Sequence, residues 1–87
     1  MPFEYDEHKS AANREKHGMD FEEAQALWLD PDLLVIPART EDEPRWLCIG
    51  RIRDTHWAAV TTMRGANVRI ISVRRARRKE VELYEGF

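Results

Sequence analysis

The chain has 87 residues, 43% of them hydrophobic, with three Trp and a single cysteine, Cys48, which is enough for one small domain over 1–87 and excludes an internal disulfide scaffold. No apolar run approaches the roughly 20 residues of a membrane span and MPFEYDEHK has no signal-like apolar stretch, so a cytoplasmic location is expected. The net charge of −2 conceals a division: residues 1–44 hold four Lys/Arg against twelve Asp/Glu, a charge of −8, while residues 45–87 hold ten against four, a charge of +6.

Residues 3–5 read as a short edge strand. Asp6 is an N-cap, and 7–17 reads as a helix stopped by Gly18. That helix is polar nearly all round, so it is expected on the surface with a thin contact stripe. Asp20 caps a second predicted helix, with Glu23 in capping-box position. Phe21, Ala24, Leu27 and Trp28 give it one apolar face, and Asp30-Pro31-Asp32 ends it. The period then changes to two. Strands are predicted over 33–37, 45–53, 56–64 and 68–73, joined by an acidic loop over 39–44, an Asp54-Thr55 turn and a Gly65-Ala66-Asn67 turn. In the second of these, Trp46, Cys48, Gly50 and Ile52 share one face, and Leu47, Ile49 and Arg51 the other. A closing helix over 75–85 would bury Ala76, Leu83 and Tyr84, with Val81 a weaker candidate. The fold class expected is α+β: two N-terminal helices, a four-stranded antiparallel sheet and a C-terminal helix. The helices pack one face of the sheet and the other stays open to a partner.

Seven of the sixteen residues from Arg64 to Lys79 are basic and none is acidic. Such a run seeks an anion, and nucleic-acid phosphate fits the guanidinium fork best. Arg64, Arg69 and Arg74 fall at the end of one strand, in the next, and at its exit, where they can hold phosphate. Arg75, Arg77, Arg78 and Lys79 open the last predicted helix, although cations there oppose the helix dipole, which points to a binding use. Arg51 is a further candidate RNA contact. Glu80 and Tyr84 share one face of that helix. Lys16 and His17 close the first helix. Their charges suit its carbonyl end, and His17 is of the residue type that serves as general acid or base. His56 reads as a surface residue, and Trp46 and Trp57 read as core. His8, His17, His56 and Cys48 are isolated, so no metal site and no cofactor is expected.

Three stretches carry a resemblance: FEYDEHKSAANREKHGMDFEEA, RWLCIGR and RGANVRIISVRRARRKEVELYE. Within them Asn13…Lys16-His17-Gly18, Phe21-Glu22-Glu23-Ala24 and Arg69-Ile70-Ile71-Ser72…Arg74…Ala76…Glu80…Tyr84 follow one another in the order and spacing of the BrnT-type toxins of type II toxin–antitoxin systems, which the chain resembles over nearly its whole length. The resemblance implies a RelE-like fold and a ribonuclease that arrests translation. It implies a BrnA-type antitoxin carrying a ribbon-helix-helix DNA-binding portion, so that DNA is met only through the antitoxin. A two-plus-two complex rests on the resemblance alone. With it, the candidate catalytic set is Lys16, His17, Arg64, Arg69, Arg74, Glu80 and Tyr84. The candidate RNA-binding set is Arg51, Arg75, Arg77, Arg78 and Lys79. The chemistry expected is RNA cleavage without a metal, in which a base takes the 2′-OH proton, an acid protonates the leaving oxygen and cations stabilise the phosphorane. A non-enzymatic nucleic-acid-binding module and a protein-interaction subunit are the competing readings.

Overall fold

In the computed structural model, which describes residues 2–39 and 42–86, β1 (Phe3–Glu4) opens the chain and is followed by α1 (Glu7–His17). Asp6 caps α1, its Oδ1 accepting from the His8 and Lys9 backbone N–H at 2.8 and 3.1 Å. Gly18, at φ 80°, turns the chain out of the helix and donates to the Arg14 carbonyl. The buried residues of α1 are Ser10 and Asn13, both polar. Ser10 Oγ accepts from the Phe21 N–H at 2.9 Å. Asn13 donates to the carbonyls of Met19 and Val73 and accepts from the Val73 N–H. A polar helix is thus fixed by buried hydrogen bonds where an amphipathic one would use apolar side chains.

The second predicted helix is corrected. Residues Glu23–Leu29 form a 3-10 helix. The predicted Asp20–Glu23 box forms reciprocally, Glu23 N–H to Asp20 Oδ1 at 2.7 Å and Asp20 N–H to Glu23 Oε1 at 3.0 Å, but it closes the turn leading into this helix, whose own N-cap, Glu22, makes no side-chain cap bond. The reason for the tighter winding lies in the spacing. Phe21, Ala24 and Leu27 are all fully buried, and a strict interval of three keeps one face at three residues per turn but drifts round an α-helix.

The sheet also departs from expectation. With β2 (Leu34–Ala38), β3 (Arg45–Ile52), β4 (Thr55–Arg64) and β5 (Asn67–Arg75) the order is β1-β5-β4-β3-β2. It is a five-stranded mixed sheet, not a four-stranded antiparallel one, because β1 joins parallel to β5, with Phe3 opposite Val68 and Glu4 opposite Arg69. The short β1 is locked in register by the Val68 N–H donating to the Pro2 carbonyl at 2.9 Å. The other pairings are antiparallel. Of the predicted 39–44 loop, residues 40 and 41 lie outside the described residues.

One face of the sheet is the inner face. There Cys48, Trp57, Ala59, Ile70 and Val73 pack against Met19, Phe21, Ala24 and Leu27. Gly50 permits that approach. A Cβ on it would stand 3.0 Å from Leu27 Cδ2 and from Leu33 Cδ1. Strand β5 runs two residues beyond its predicted end, since Arg74 and Arg75 pair with Ala58 and Trp57 and Ala76 donates to the His56 carbonyl. The last helix, α2 (Arg78–Glu85), therefore starts three residues late. It lies on the outer face, which was expected to stay open, and it has no fully buried residue. Leu83, expected inside, is 57% exposed. Ion pairs and hydrogen bonds, with the partly buried Val81 and Tyr84, hold α2 to a face where Ile49 and Ala58 are fully buried. Among the described residues no helix is long and apolar enough to cross a membrane.

Candidate nucleic-acid interface

The site is the outer face of β4 and β5, and a β-bulge builds it. Val60 is opposite Ser72 and Thr61 is opposite Ile70, so Ile71 is an extra residue. Residues 69 and 74 are an odd number apart and would face opposite ways on a regular strand. The bulge restores them to one face. Arg69 is opposite Thr62, and Arg74 is opposite Ala58. Arg64, two residues after Thr62, joins them across the Gly65 turn.

The three arginines differ in how tightly they are held. Arg64 is half-exposed and reaches Glu43 at 3.5 Å. Arg69 reaches Glu4 at 3.6 Å. Both contacts are loose and exchangeable, of the kind that contributes little to stability. Arg74 instead forms a two-pronged pair with Glu80, Nη1 to Oε1 at 2.8 Å and Nη2 to Oε2 at 2.9 Å. Glu80 Oε1 also accepts from the Arg77 N–H at 2.8 Å, closing half of a capping box; an arginine side chain has no acceptor for the other half. The hydrogen bonds from Arg74, against the cost of burial, hold the Glu80 carboxyl below its usual range. The same pair raises Arg74 further. Glu80 is therefore ionised at neutral pH and has no proton to donate.

Beside this clamp lies a second cluster that the sequence reading missed. The Tyr84 hydroxyl donates to Asp30 Oδ2 at 2.7 Å. Burial, helped by the Asp30 charge, pushes the Tyr84 phenol up to about 12. Burial also works to raise Asp30, but the bonds from Tyr84 and from the Arg51 and Asp32 N–H groups outweigh it and hold Asp30 low. His56 stacks edge-on against Tyr84, ring centroids 5.2 Å apart, and its Nε2 meets Glu85 Oε2 at 2.7 Å. His56 was read as a surface residue. Its parity with Ala58, which places it on the face of Arg74, was the available signal. Asp30 was read only as a helix end, and nothing in the sequence marks its bond to a tyrosine 54 residues away.

The remaining candidates are dispersed. Arg51 is on the outer face beside Asp54 at 3.8 Å. Arg75 turns to the inner face and lies over the Trp57 ring at 5.7 Å. Arg77 and Lys79 are exposed, and Arg78, almost fully exposed, pairs loosely with Glu82 at 3.5 Å. Lys16 is exposed and His17 half-buried, one turn beyond the Asn13–Val73 clamp. No hydrogen bond, ion pair or ring contact among the described residues joins either to Arg74, Glu80 or Tyr84. Nor does any group of three His, Cys, Asp or Glu side chains among them converge as metal ligands would.

An arginine-lined sheet face with exchangeable carboxylate partners suits a polyanion, and the family comparison names the class. No curated protein matches the chain. A family model described as the ribonuclease toxin BrnT of type II toxin–antitoxin systems matches residues 5–80, which includes the three arginines and Glu80 and stops short of Tyr84 and Glu85. The chain belongs to the BrnT family of ribonuclease toxins, and with that family come an RNA substrate and an antitoxin partner.

Proposed function

We propose that the chain is a metal-independent endoribonuclease that grips RNA on the outer arginine face, arrests translation and is neutralised by a BrnA-type antitoxin in a two-plus-two complex. The observation that supports this most is the bulge at Ile71, which brings Arg64, Arg69 and Arg74 to one face in a chain of a ribonuclease family. Arg64 and Arg69 exchange Glu43 and Glu4 for phosphate oxygens, and their charges stabilise the phosphorane as it forms. Arg74, held by Glu80, holds a flanking phosphate at a fixed angle. Arg51, Arg77, Arg78 and Lys79 carry the strand beyond the cut, while Arg75, turned inward over Trp57, takes no part. His17 moves the proton, with the Lys16 charge beside it. Glu80 and Tyr84 position Arg74 and α2. RNA carries its own nucleophile in the 2′-OH, so cationic side chains and a proton carrier suffice for the chemistry.

The test is incubation of RNA with the purified protein in excess chelator. Cleavage fragments are expected. Arg64→Ala should lower the rate roughly 30- to 1,000-fold, corresponding to about 2–4 kcal/mol of transition-state stabilisation. A folded Arg64→Ala protein cutting at the wild-type rate refutes the assignment. A salt-sensitive mobility shift without fragments favours a binding module instead.

A further inference from the structure

On the inner face the sheet leaves an open, mainly apolar groove of about 330 Å³ beside the end of the 3-10 helix, lined by Trp28 of that helix and by Val35, Trp46, Cys48, Thr61, Met63 and Val68. Val35 and Met63 are 50% and 48% exposed, unusually so for apolar residues that share one concavity. Burial pushes the Cys48 thiol up, so the floor carries no charge near neutral pH. The groove and the arginine face share one hairpin. Met63 precedes Arg64, Val68 precedes Arg69, and Met63 pairs with Val68. Alternation along the two strands sets the groove residues inward and the arginines outward, one residue apart, around a tip formed by Gly65 at φ 60°.

We infer that this groove is the anchor for the antitoxin: an apolar segment of it seats large side chains between Trp46 and Met63, and acidic residues following that segment wrap the β4–β5 hairpin onto Arg64 and Arg69. The inference rests on the toxin–antitoxin reading. Charge complementarity selects the acidic extension, because Arg64 and Arg69 hold their own carboxylates only at 3.5 and 3.6 Å. Two incoming carboxylates then take the places that RNA phosphates would take. Affinity comes from the desolvated apolar anchor, and neutralisation from the acidic wrap.

The direct test is a footprint on the wild-type protein. Peroxide oxidation of Met63, followed by mass spectrometry, is compared with and without the protein encoded by the adjacent reading frame, Met19 serving as the buried internal reference. At least a fivefold slowing at Met63 is expected in the complex, and an unchanged rate overturns the inference. Two variants add a second arm. Val35→Glu and Met63→Glu are expected to keep RNA cleavage within about twofold of wild type while binding that protein at least tenfold more weakly. Wild-type affinity in both overturns the inference. So does slowing of Met63 oxidation with rising concentration of this chain alone, accompanied by a dimer in light scattering, which would assign the groove to a second copy. A protein that cuts no RNA yet shows the footprint removes the ribonuclease reading and keeps the groove; one that cuts RNA without the footprint does the reverse.

Discussion

Arg74 has the most determinate role of the basic residues, because Glu80 fixes both prongs of its guanidinium. The pH dependence follows from the direction of the shift. A carboxyl whose folded pKa lies below its unfolded value of about 4.5 contributes stability above that value and loses it as the pH falls through the folded one. Asp30 is shifted the same way from about 3.8. Both tie down α2, so α2 should detach in acid before the sheet melts. The expected result is a loss of helical signal as the pH falls below about 4.5, with strand hydrogen-exchange protection retained, and a shallower acid limb in Glu80→Gln. Simultaneous loss of helix and sheet would contradict it. Tyr84 works in the opposite direction. Its raised pKa contributes stability that is complete below 10 and is lost as the pH rises through about 12.

Element by element, what could be read from the sequence was whatever depends on neighbours along the chain. The N-cap Asp6, the stop at Gly18, the strand alternation from Leu34 and the inner-face set Trp46, Cys48, Gly50 and Ile52 are of that kind. What could not be read depends on pairing at a distance. The short strand at 3–5 could be read as an edge, but not its parallel pairing with β5, with Phe3 opposite Val68, which makes the sheet five-stranded and mixed. The bulge at Ile71 adds one residue to a strand that otherwise alternates, so the shared face of Arg69 and Arg74 was invisible in one dimension. The 3-10 helix was legible in principle, since the interval of three from Phe21 to Leu27 departs from the α pattern, but Trp28 at the next position supplied a false α-helical match. The polarity of α1 has its reason in the Asn13–Val73 clamp, which joins residues sixty positions apart. Asn13→Ala leaves both backbone groups of Val73 and the Met19 carbonyl without this partner. A loss of about 2–4 kcal/mol is expected in denaturant unfolding, and a loss under 0.5 kcal/mol would mean α1 is held some other way. Gly50→Ala tests the close approach of the 3-10 helix, with an expected cost of about 1–3 kcal/mol from contacts at 3.0 Å with Leu27 and Leu33.

For the molecule as a whole, the division of charge in the sequence becomes a division of surfaces. Acidic residues of the N-terminal half cap helices and lend loose partners to arginines, as Glu4 and Glu43 do, while the basic half supplies the outer face. Binding should therefore be strongly salt-dependent, and Arg69→Ala should reduce the slope of log affinity against log salt by about one contact's worth, roughly 0.7. The central claim is that RNA is cut on the outer face of β5 and not on its inner face. Arg69 and Arg75 lie on the same strand and point to opposite sides, Arg69 outward beside Thr62 and Arg75 inward over Trp57. The decisive measurement is the single-turnover cleavage rate of folded Arg69→Ala and Arg75→Ala proteins on one RNA. A loss of roughly 30- to 1,000-fold for Arg69→Ala and of less than about fivefold for Arg75→Ala is predicted. Equal losses, or the larger loss at Arg75, would contradict the account.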